Sequence, residues 1–259
     1  MKQTALITGA SGGIGLELAR VFARERYNLV LVARNEARLS ALGRELADAY
    51  GVAALACAAD LSERDAAAAV YAFTRDRGVA VDVLVNNAGF GDFGPFLDAE
   101  WEKQYEMVQV NITALMQLTR LYLPEMTARG SGRILNIAST AAFQPGPLMS
   151  VYYASKAFVL SFSEALSVEL KGTGVAVTTV CPGPTTTGFS ERANLGASGL
   201  FAHLKNATAA EVAEFAYRAL SRGRVVAVHG LGNRLLVFGS KHSPRRWVRE
   251  VAWRIQKER

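Results

Sequence analysis

Short apolar runs and longer stretches with helical periodicity alternate along almost the whole chain. Each apolar run holds four to seven residues and lacks the polar alternation of a half-exposed strand. Runs of this kind suit strands that are covered on both faces. The predicted strands are Thr4–Thr8, Leu29–Ala33, Ala53–Ala58, Val83–Asn86, Gly132–Ala138, Val175–Cys181 and Val225–Val228.

Helical stretches separate these strands, which is the order of a βαβ protein. They are predicted at Gly13–Arg26, Glu36–Tyr50, Glu63–Arg77, Trp101–Ala128, Val151–Leu170 and Ala209–Arg222. Strands joined through helices pair in parallel, and the helices then cover both faces of the sheet. The pattern therefore predicts the α/β class, with a doubly wound, parallel, seven-stranded sheet flanked by helices. Ligands of such sheets bind where the strands end.

The bulk properties favour one domain. The chain has 259 residues, 50% of them hydrophobic, and it contains no repeat, low-complexity tract or linker rich in Pro, Gly or Ser. We therefore assign residues 1–240 to a single domain and residues 241–259 to a C-terminal helix that is packed on it or appended to it. The N-terminus enters the first strand without the length or flanks of a signal peptide. No apolar run approaches membrane-spanning length.

The two cysteines, Cys57 and Cys181, lie in apolar runs and have neither disulfide nor metal-ligand spacing. We expect both to be buried thiols, and we expect no metal site. A reducing compartment suits such thiols, so the sequence predicts a cytoplasmic protein.

The positive charge is confined to the C-terminus. The net charge is +6, and residues 241–259 hold seven Lys or Arg and two Glu, which accounts for +5 of it. The remainder of the chain is nearly neutral, so we expect no nucleic-acid partner.

The basic C-terminus is predicted to form an amphipathic helix that starts at Ser243 and Pro244. Trp247, Val248, Val251, Ala252 and Ile255 form one apolar stripe, and Arg246, Arg249, Arg254 and Lys257 lie largely off it. Such a helix can make weak contact with an anionic membrane surface. It can equally cover an apolar patch of its own domain or of a second subunit, and the sequence leaves these alternatives open.

A glycine-rich turn follows the first strand and opens the first helix. It carries Gly9, Gly13 and Gly15, with Ser11 and Ile14 between them. Glycines at these positions let the backbone turn tightly and approach a pyrophosphate, which meets free N–H groups at the start of the helix. The alternative is a tight turn with packing glycines. The position of the glycine-rich turn after the first strand favours dinucleotide binding.

Tyr152 and Lys156 are four residues apart in a predicted helix, and Ser139 follows a strand thirteen residues before Tyr152. Residues at this spacing share a helix face, so the ammonium can lie beside the phenol and favour its ionised form. A tyrosine with a tunable pKa can exchange a proton with a carbonyl or an alcohol, and Ser139 can donate a hydrogen bond to the substrate oxygen. Together with the dinucleotide that the glycine turn is predicted to bind, these residues predict hydride transfer to a carbonyl or from an alcohol. Tyr153 lacks this spacing and is expected to be packing or pocket wall.

These motifs resemble those of the short-chain dehydrogenases/reductases, a family with a Rossmann fold. The resemblance covers residues 4–230. The motifs that carry it are Thr8-Gly-x-x-x-Gly-x-Gly15, Asn86-Asn87-Ala88-Gly89, Asn111, Ser139, Tyr152-x-x-x-Lys156 and Pro182-Gly183 followed by Thr187. It implies an oxidoreductase whose catalytic residues are Asn111, Ser139, Tyr152 and Lys156, with Asn111 holding a water that connects Lys156 to solvent.

The resemblance also implies further cofactor contacts. Asn87, Ala88 and Gly89 would lie against the adenosine side, and Asp60 and Leu61 would flank the adenine. Pro182, Gly183 and Thr187 would hold the nicotinamide carboxamide. Tyr152 and Lys156 would contact the cofactor as well, with Lys156 bonded to the nicotinamide ribose. Family members are usually dimers or tetramers built through long helices, so a homodimer or homotetramer is expected.

Arg34 directs the choice of cofactor toward NADP(H) rather than NAD(H). An NAD-specific site usually has an acidic residue at the end of the second strand, where this chain has Ala33 and Arg34. An arginine can pair with a 2′-phosphate that an acid would repel. The alternative is a solvated arginine at the start of a loop.

Three segments are expected to border the substrate: Phe90–Leu97, Ala141–Ser150 and Gly188–Asn206. They are mostly apolar, with aromatic and aliphatic residues at Phe90, Phe93, Phe96, Phe143, Leu148, Met149, Phe189, Leu195, Leu200 and Phe201. This favours a hydrophobic ketone, aldehyde or secondary alcohol, closest to 3-oxoacyl or steroid-like substrates. Gly188, Gly196 and Gly199 suggest a flexible lid in the third segment. The alternative is that these apolar residues only anchor loops.

Three classes of function fit the sequence. The first is an NADP(H)-dependent carbonyl reductase or alcohol dehydrogenase. The second is a catalytically inactive dinucleotide-binding regulator, and the third is a membrane-surface or scaffolding protein that acts through its basic C-terminus. A regulator has no need of the set Asn111, Ser139, Tyr152 and Lys156, so the sequence favours the enzyme.

Overall fold

The computed structural model describes residues 2–189, 193 and 206–257. Its main sheet contains seven strands that pair in parallel throughout, in the order β3-β2-β1-β4-β5-β6-β9. These strands are β1 (Thr4–Thr8), β2 (Asn28–Ala33), β3 (Ala54–Ala58), β4 (Val83–Asn86), β5 (Gly132–Ile137), β6 (Val175–Cys181) and β9 (Val226–Val228). The predicted fold class is confirmed, with strand limits within one residue. The short strands β7 (Thr185–Thr186) and β8 (Ala207–Thr208) pair with each other.

Helices flank the sheet on both faces. They are α1 (Gly13–Arg24), α2 (Glu36–Tyr50), α3 (Ala66–Asp76), α4 (Trp101–Val108), α5 (Leu115–Ala128), α6 (Ser150–Glu169), α7 (Ala209–Ser221), α8 (Leu231–His242) and α9 (Arg245–Lys257). Local signals set several of their ends. The Asn35 side chain accepts a hydrogen bond from the Arg38 N–H at the start of α2, and Gly51 ends that helix with a φ of 61°. Thr208 and Glu211 form a reciprocal capping box at α7.

The core lies in two layers, one on each face of the sheet. Successive residues of a strand point to opposite faces, so Ile7 packs with Phe22 and Leu31 on one side. The neighbouring Leu6 packs with Leu84 and Tyr122 on the other side. All of these residues are buried. The uninterrupted apolar strands of the sequence are explained by this double coverage.

The region after β9 differs from the prediction. Helix α8 was not expected, and it spans residue 240, so the proposed division between residues 1–240 and 241–259 falls in its last turn. Helix α9 begins directly after Ser243 and Pro244, as expected. In the part of the chain that the structure describes, no helix has the length and apolar character needed to cross a membrane.

Helix α9 packs on its own domain through only part of the predicted stripe. Val248 and Ala252 are buried, whereas Trp247, Val251 and Ile255 are exposed. The buried line continues to Gln256, whose Nε2 donates a hydrogen bond of 2.8 Å to the Tyr153 hydroxyl. Residues 248, 252 and 256 are spaced by four, so this line, rather than the whole predicted stripe, faces the domain.

Candidate active site

The glycine turn has the conformation that its sequence predicts. Gly9 and Gly13 adopt φ angles of +68° and +55°, where other residues are strained. A Cβ atom on Gly9 would lie 2.8 Å from the Asn87 Nδ2 atom, and one on Gly15 would overlap the Gly9 carbonyl oxygen. Gly9, Ser11, Gly13 and Ile14 line a large cleft, whereas Gly15 lies behind the turn.

Thr8 and Asn87 join the ends of β1 and β4 beneath this turn. The Thr8 hydroxyl accepts hydrogen bonds from the Asn87 and Ala88 N–H groups, both at 3.0 Å, and donates to the Val85 carbonyl oxygen at 3.2 Å. The Asn87 Nδ2 donates to the Thr8 carbonyl oxygen at 2.8 Å. The Asn87 side chain therefore braces the sheet, and Ala88 and Gly89 line the cleft beside it.

Arg34 directly follows β2 and lies beside Asp60, and both residues line the cleft together with Leu61. Its guanidinium is 3.7 Å from the Asp60 carboxylate, and its side chain is 64% exposed. Burial would raise the pKa of Asp60, but hydrogen bonds from Ser62 and the charge of Arg34 outweigh it and hold that pKa below its ordinary value. Arg34 thus has a partly exposed, weakly held guanidinium that can pair with an added anion.

Ser139, Tyr152 and Lys156 meet at the carboxyl end of β5. Ser139 caps the short 3₁₀ turn Thr140–Phe143, where its hydroxyl accepts from the Ala141 N–H at 3.1 Å, and it also bonds to the Tyr152 hydroxyl. Burial raises the pKa of Tyr152 well above its ordinary value, and the hydrogen bond with Ser139 offsets this only in part. The phenol is therefore protonated at neutral pH, which is the state that a proton donor requires.

Lys156 is nearly enclosed, with 5% of its surface exposed. Its Nζ donates to the Ile137 carbonyl oxygen at 3.0 Å and lies 5.8 Å from the centroid of the Tyr152 ring. Burial lowers the pKa of Lys156 to about 8. We expected the ammonium to favour phenolate, but burial has the largest effect on Tyr152 in this arrangement, and it raises the pKa of the phenol.

Asn111 lies behind the cleft in a π-helical turn, Gln109–Ala114, between α4 and α5. Such turns insert an extra residue into a helix and often occur at functional sites. The Asn111 Oδ1 accepts from the Phe90 N–H at 3.1 Å, and its Nδ2 donates to the Phe90 carbonyl oxygen and the Ser155 hydroxyl, both at 3.0 Å. The hydroxyl of Ser155 donates to the Tyr152 carbonyl oxygen at 2.7 Å. Asn111 therefore connects the loop after Gly89 to the helix that carries Tyr152.

Gly89 separates Asn111 from Lys156. A Cβ atom at this position would lie 2.9 Å from the Asn111 Oδ1 and 3.3 Å from the Lys156 Nζ. Asn111 cannot yield freely, because its amide is held at both ends. Gly89→Ala is therefore expected to lower kcat about 10- to 100-fold by displacing these groups. Steady-state kinetics would measure the loss.

The matched control is Gly43→Ala in α2, which does not line the cleft and where an added Cβ would have Ala54 as its nearest neighbour, at an ordinary contact distance of 3.5 Å. It should keep kcat within about twofold of the original chain, since the added methyl group displaces no atom. Equal kcat values for the two alanine variants would contradict this placement of Gly89.

Almost all of the predicted site residues border one continuous cleft. It runs from Arg34 and Asp60, past the glycine turn, to the group around Tyr152. The predicted residues on its walls are Gly9, Ser11, Gly13, Ile14, Arg34, Asp60, Leu61, Asn87, Ala88, Gly89, Ser139, Tyr152, Lys156, Pro182, Gly183 and Thr187. Gly15 and Asn111 are not on these walls, and both support residues that are.

The predicted substrate segments are only partly represented on the cleft walls. Phe90, Phe143, Met149 and Phe189 line the cleft. Phe93 packs in an apolar cluster with Tyr152 and Phe189, whereas Phe96 is exposed. Most of the proposed lid, including Leu195, Gly196, Gly199, Leu200 and Phe201, lies outside the described residues, whereas Gly188 is described and lines the cleft.

Several wall residues were missed in the sequence. His229 directly follows β9. It could have been predicted at the cleft, because ligands of parallel sheets bind where the strands end. Helix α8 packs on Gly183, where a Cβ atom would overlap the Asn233 side chain. Side chains of α8 and α9 then complete the wall, at Leu235, Leu236, Val237, Trp247, Val248, Val251 and Ile255. The spacing of Leu231, Leu235 and Phe238 was the available signal for α8.

Known proteins match both the sequence and this structure. A family model described as short chain dehydrogenase matches residues 3–197. The ketoacyl reductase HetN of Nostoc sp. is 39% identical over 181 residues, which is 70% of this chain and 63% of that protein. The 17-beta-hydroxysteroid dehydrogenase type 3 of Mus musculus is 38% identical over 70% of this chain and 60% of its own length. The chain thus spans less than two thirds of both curated relatives.

Solved structures match over nearly the whole chain. A short-chain dehydrogenase from Sphingobium yanoikuyae in complex with NADPH is 36% identical, with a TM-score of 0.81, over 97% of this chain and 93% of that one. A 7beta-hydroxysteroid dehydrogenase is 30% identical, with a TM-score of 0.85, over 96% of both chains. The fold, the strand-end cleft and the matched family model agree. The chain belongs to the short-chain dehydrogenases, a family of oxidoreductases.

Proposed function

We propose that the chain is an NADP(H)-dependent oxidoreductase that interconverts a hydrophobic ketone or aldehyde and the corresponding alcohol, with Tyr152 as the acid and base. The observation that carries the proposal is the continuity of the cleft from the glycine turn to Tyr152. One cleft can therefore hold a dinucleotide against the glycine turn and place the nicotinamide of that dinucleotide beside Tyr152, the proton donor.

The cleft has room for two ligands. Its volume is about 2390 Å³, whereas a site for one small molecule usually holds about 300–1,000 Å³. The glycines of the turn have no Cβ atoms that would project into the cleft. The cleft is therefore open beside the turn, and the residues present fit the phosphate groups of a dinucleotide. When bound, the nicotinamide would supply or accept the hydride.

The protein residues would handle the proton. Tyr152 would donate its hydroxyl proton to the substrate oxygen during reduction, and Ser139 would stabilise that oxygen through a hydrogen bond. Lys156 would bond to the nicotinamide ribose and carry positive charge near the phenol. Asn111 would fix the position of the loop after Gly89 relative to α6, through its hydrogen bonds to Phe90 and Ser155. We also assign to Asn111 the water that links Lys156 to solvent.

The proposed substrate is bulky and apolar. Beyond the catalytic group, the described cleft wall carries Phe143, Met149, Phe189, Trp247 and Val251. The relatives point in the same direction, since they include a very-long-chain 3-oxoacyl-CoA reductase of Anas platyrhynchos, which is 38% identical over 69% of this chain and 58% of that protein. A 3-oxoacyl chain or a steroid-like ketone would fill such a site.

We further propose a homodimer or homotetramer built through α4, α5 and α6. Trp101 and Tyr105 are exposed on α4 and Val168 on α6, which supports an interface that includes these two helices. Light scattering of the purified chain would give its mass, and a monomer at all concentrations would contradict this assembly.

Arg34 is proposed to select NADP(H) through the 2′-phosphate. The variant Arg34→Asp should lower the ratio of kcat/KM for NADPH to that for NADH by about 100-fold, because a charge-assisted hydrogen bond is replaced by repulsion. The matched control is Arg64→Asp, an exposed residue that does not line the cleft. An unchanged ratio in Arg34→Asp would mean that the 2′-phosphate binds elsewhere.

Isotope transfer tests the reaction class. The chain would be incubated with a cyclic ketone and NADPH that carries deuterium at both C4 positions of the nicotinamide. We expect the alcohol product to contain one deuterium atom on the former carbonyl carbon. Binding of NADPH without a deuterated alcohol from any ketone would instead indicate a dinucleotide-binding regulator.

A further inference from the structure

Helix α8 presents an apolar stripe to solvent. Leu231, Leu235 and Phe238 are spaced by four and three residues and are 76%, 73% and 63% exposed. The other side of the helix faces the domain, where Asn233 donates to the His229 carbonyl oxygen at 2.8 Å and Ser240 to the Phe143 carbonyl oxygen at 2.9 Å. The helix is therefore amphipathic, with its larger apolar side chains turned toward solvent. An ordinary surface helix has the opposite orientation, with its apolar face turned toward the core.

Helix α9 extends the exposed apolar surface. Trp247, Val251 and Ile255 are spaced by four residues and are exposed beside the buried line of the same helix. These three side chains, with Leu235 and Leu236 of α8, also line the cleft. The apolar surface of α8 and α9 thus includes the rim of the cleft mouth and extends beyond it to Leu231 and Phe238.

The same two helices carry exposed cations. Arg234, Lys241, Arg245, Arg249, Arg254 and Lys257 are all exposed. Across the described residues, none of the six forms an ion pair. Their charge is therefore available to an external partner. Trp253 is exposed among them, and the Lys257 Nζ lies 5.5 Å from its ring centroid.

We propose that α8 and α9 form a docking surface for an anionic lipid bilayer. Exposed leucine, phenylalanine and tryptophan side chains enter the boundary between headgroups and acyl chains, and the lysine and arginine side chains contact the anionic headgroups. This commits the surface to lipid rather than to a second copy of the chain. A symmetric dimer through the same surface would bring two groups of unpaired cations together, and like charges repel.

The position of the surface gives the docking a function, which rests on the activity proposed above. The cleft mouth would open directly onto the bilayer, so an apolar ketone dissolved in lipid would enter the cleft without crossing water. Docking itself does not depend on turnover. It is measured as binding, so that its failure and the failure of the proposed activity give different results.

Vesicle sedimentation tests the docking with the full chain. The probes are phosphatidylcholine vesicles with and without phosphatidylserine. One variant, Leu235→Ser with Phe238→Ser, removes apolar side chains, and a second, Arg249→Glu with Arg254→Glu, reverses two charges. The matched control is Arg44→Glu with Arg64→Glu, which changes the net charge equally at two exposed sites on the body of the chain. Circular dichroism would verify that all variants fold.

We expect the original chain to bind vesicles that contain phosphatidylserine, with binding that weakens as salt is raised. Both surface variants should partition at least about tenfold less, and the control should bind like the original chain. Absence of binding to these vesicles, or equal binding by the surface variants, would overturn the proposal. If the surface variants instead abolish a concentration-dependent dimer in light scattering, a second copy covers this surface and lipid does not.

Discussion

Replacement of Tyr152 by phenylalanine is expected to lower kcat by about three orders of magnitude, the usual size of a general acid contribution. The variant removes only the hydroxyl that bonds to Ser139. The ring would still pack against Phe189, whose centroid is 5.3 Å away, and Tyr153. NADPH affinity should therefore change by less than about threefold. Turnover in the stopped-flow instrument and fluorescence titration of NADPH measure the two quantities.

Tyr153→Phe is the matched control, since it deletes the same atom one residue away. The Tyr153 hydroxyl accepts from the Gln256 Nε2 and does not reach Ser139 in the observed bonds. This variant should retain kcat within about threefold, apart from any loosening of α9. Loss of turnover in Tyr153→Phe with full turnover in Tyr152→Phe would reverse the assignment.

The second large effect is expected for Lys156→Met, which should be inactive and yet more stable than the original chain. Burial lowers the pKa of Lys156 from 10.5 to about 8, and a gap of that size corresponds to about 3 kcal/mol of stability lost at neutral pH. Methionine removes this penalty and loses the bond to Ile137, which is worth about 1 kcal/mol. The free energy of unfolding at pH 7 should therefore rise by about 2 kcal/mol, while kcat falls at least about 100-fold.

The pH dependence of this gain has a defined sign. Below pH 8 the lysine is charged in both the folded and unfolded states, and the penalty is fully present. Between pH 8 and 10.5 the unfolded chain binds more protons, so the original chain becomes more stable as pH rises. The advantage of Lys156→Met should shrink over that range. Urea unfolding of both proteins without cofactor, at pH 7 and again near pH 10.5, measures the difference between their free energies of unfolding. A constant or growing advantage would mean that Lys156 is not buried as an ammonium.

The sequence predicted the parts of this protein that depend on local pattern. Strand limits followed from apolar runs such as Val175–Cys181, because both faces of the sheet are covered. Residues at strand ends, such as Gly9 and Pro182, were placed at the cleft because parallel strands end at one edge. Tyr152 and Lys156 were brought together by helix spacing alone.

Features set by tertiary packing were not predictable in the same way. Helix α8 contains Gly232 and Gly239, which weaken helical propensity, and its apolar residues face outward. The π-helical turn at Asn111 has no local pattern that separates it from a continuous helix. The bond between Tyr153 and Gln256 joins residues 103 positions apart, and the buried Oε1 of Gln256 has no observed partner to indicate the pairing.

The most direct test of the proposed activity is the consumption of NADPH and NADH by the purified chain with ketones and aldehydes graded from polar to long-chain and polycyclic. We predict rapid turnover with NADPH, slower turnover with NADH, and a kcat/KM that rises by up to about fourfold for each added methylene that the cleft buries. Tight binding of NADPH with no consumption across the whole series would contradict the assignment of this chain as a carbonyl reductase.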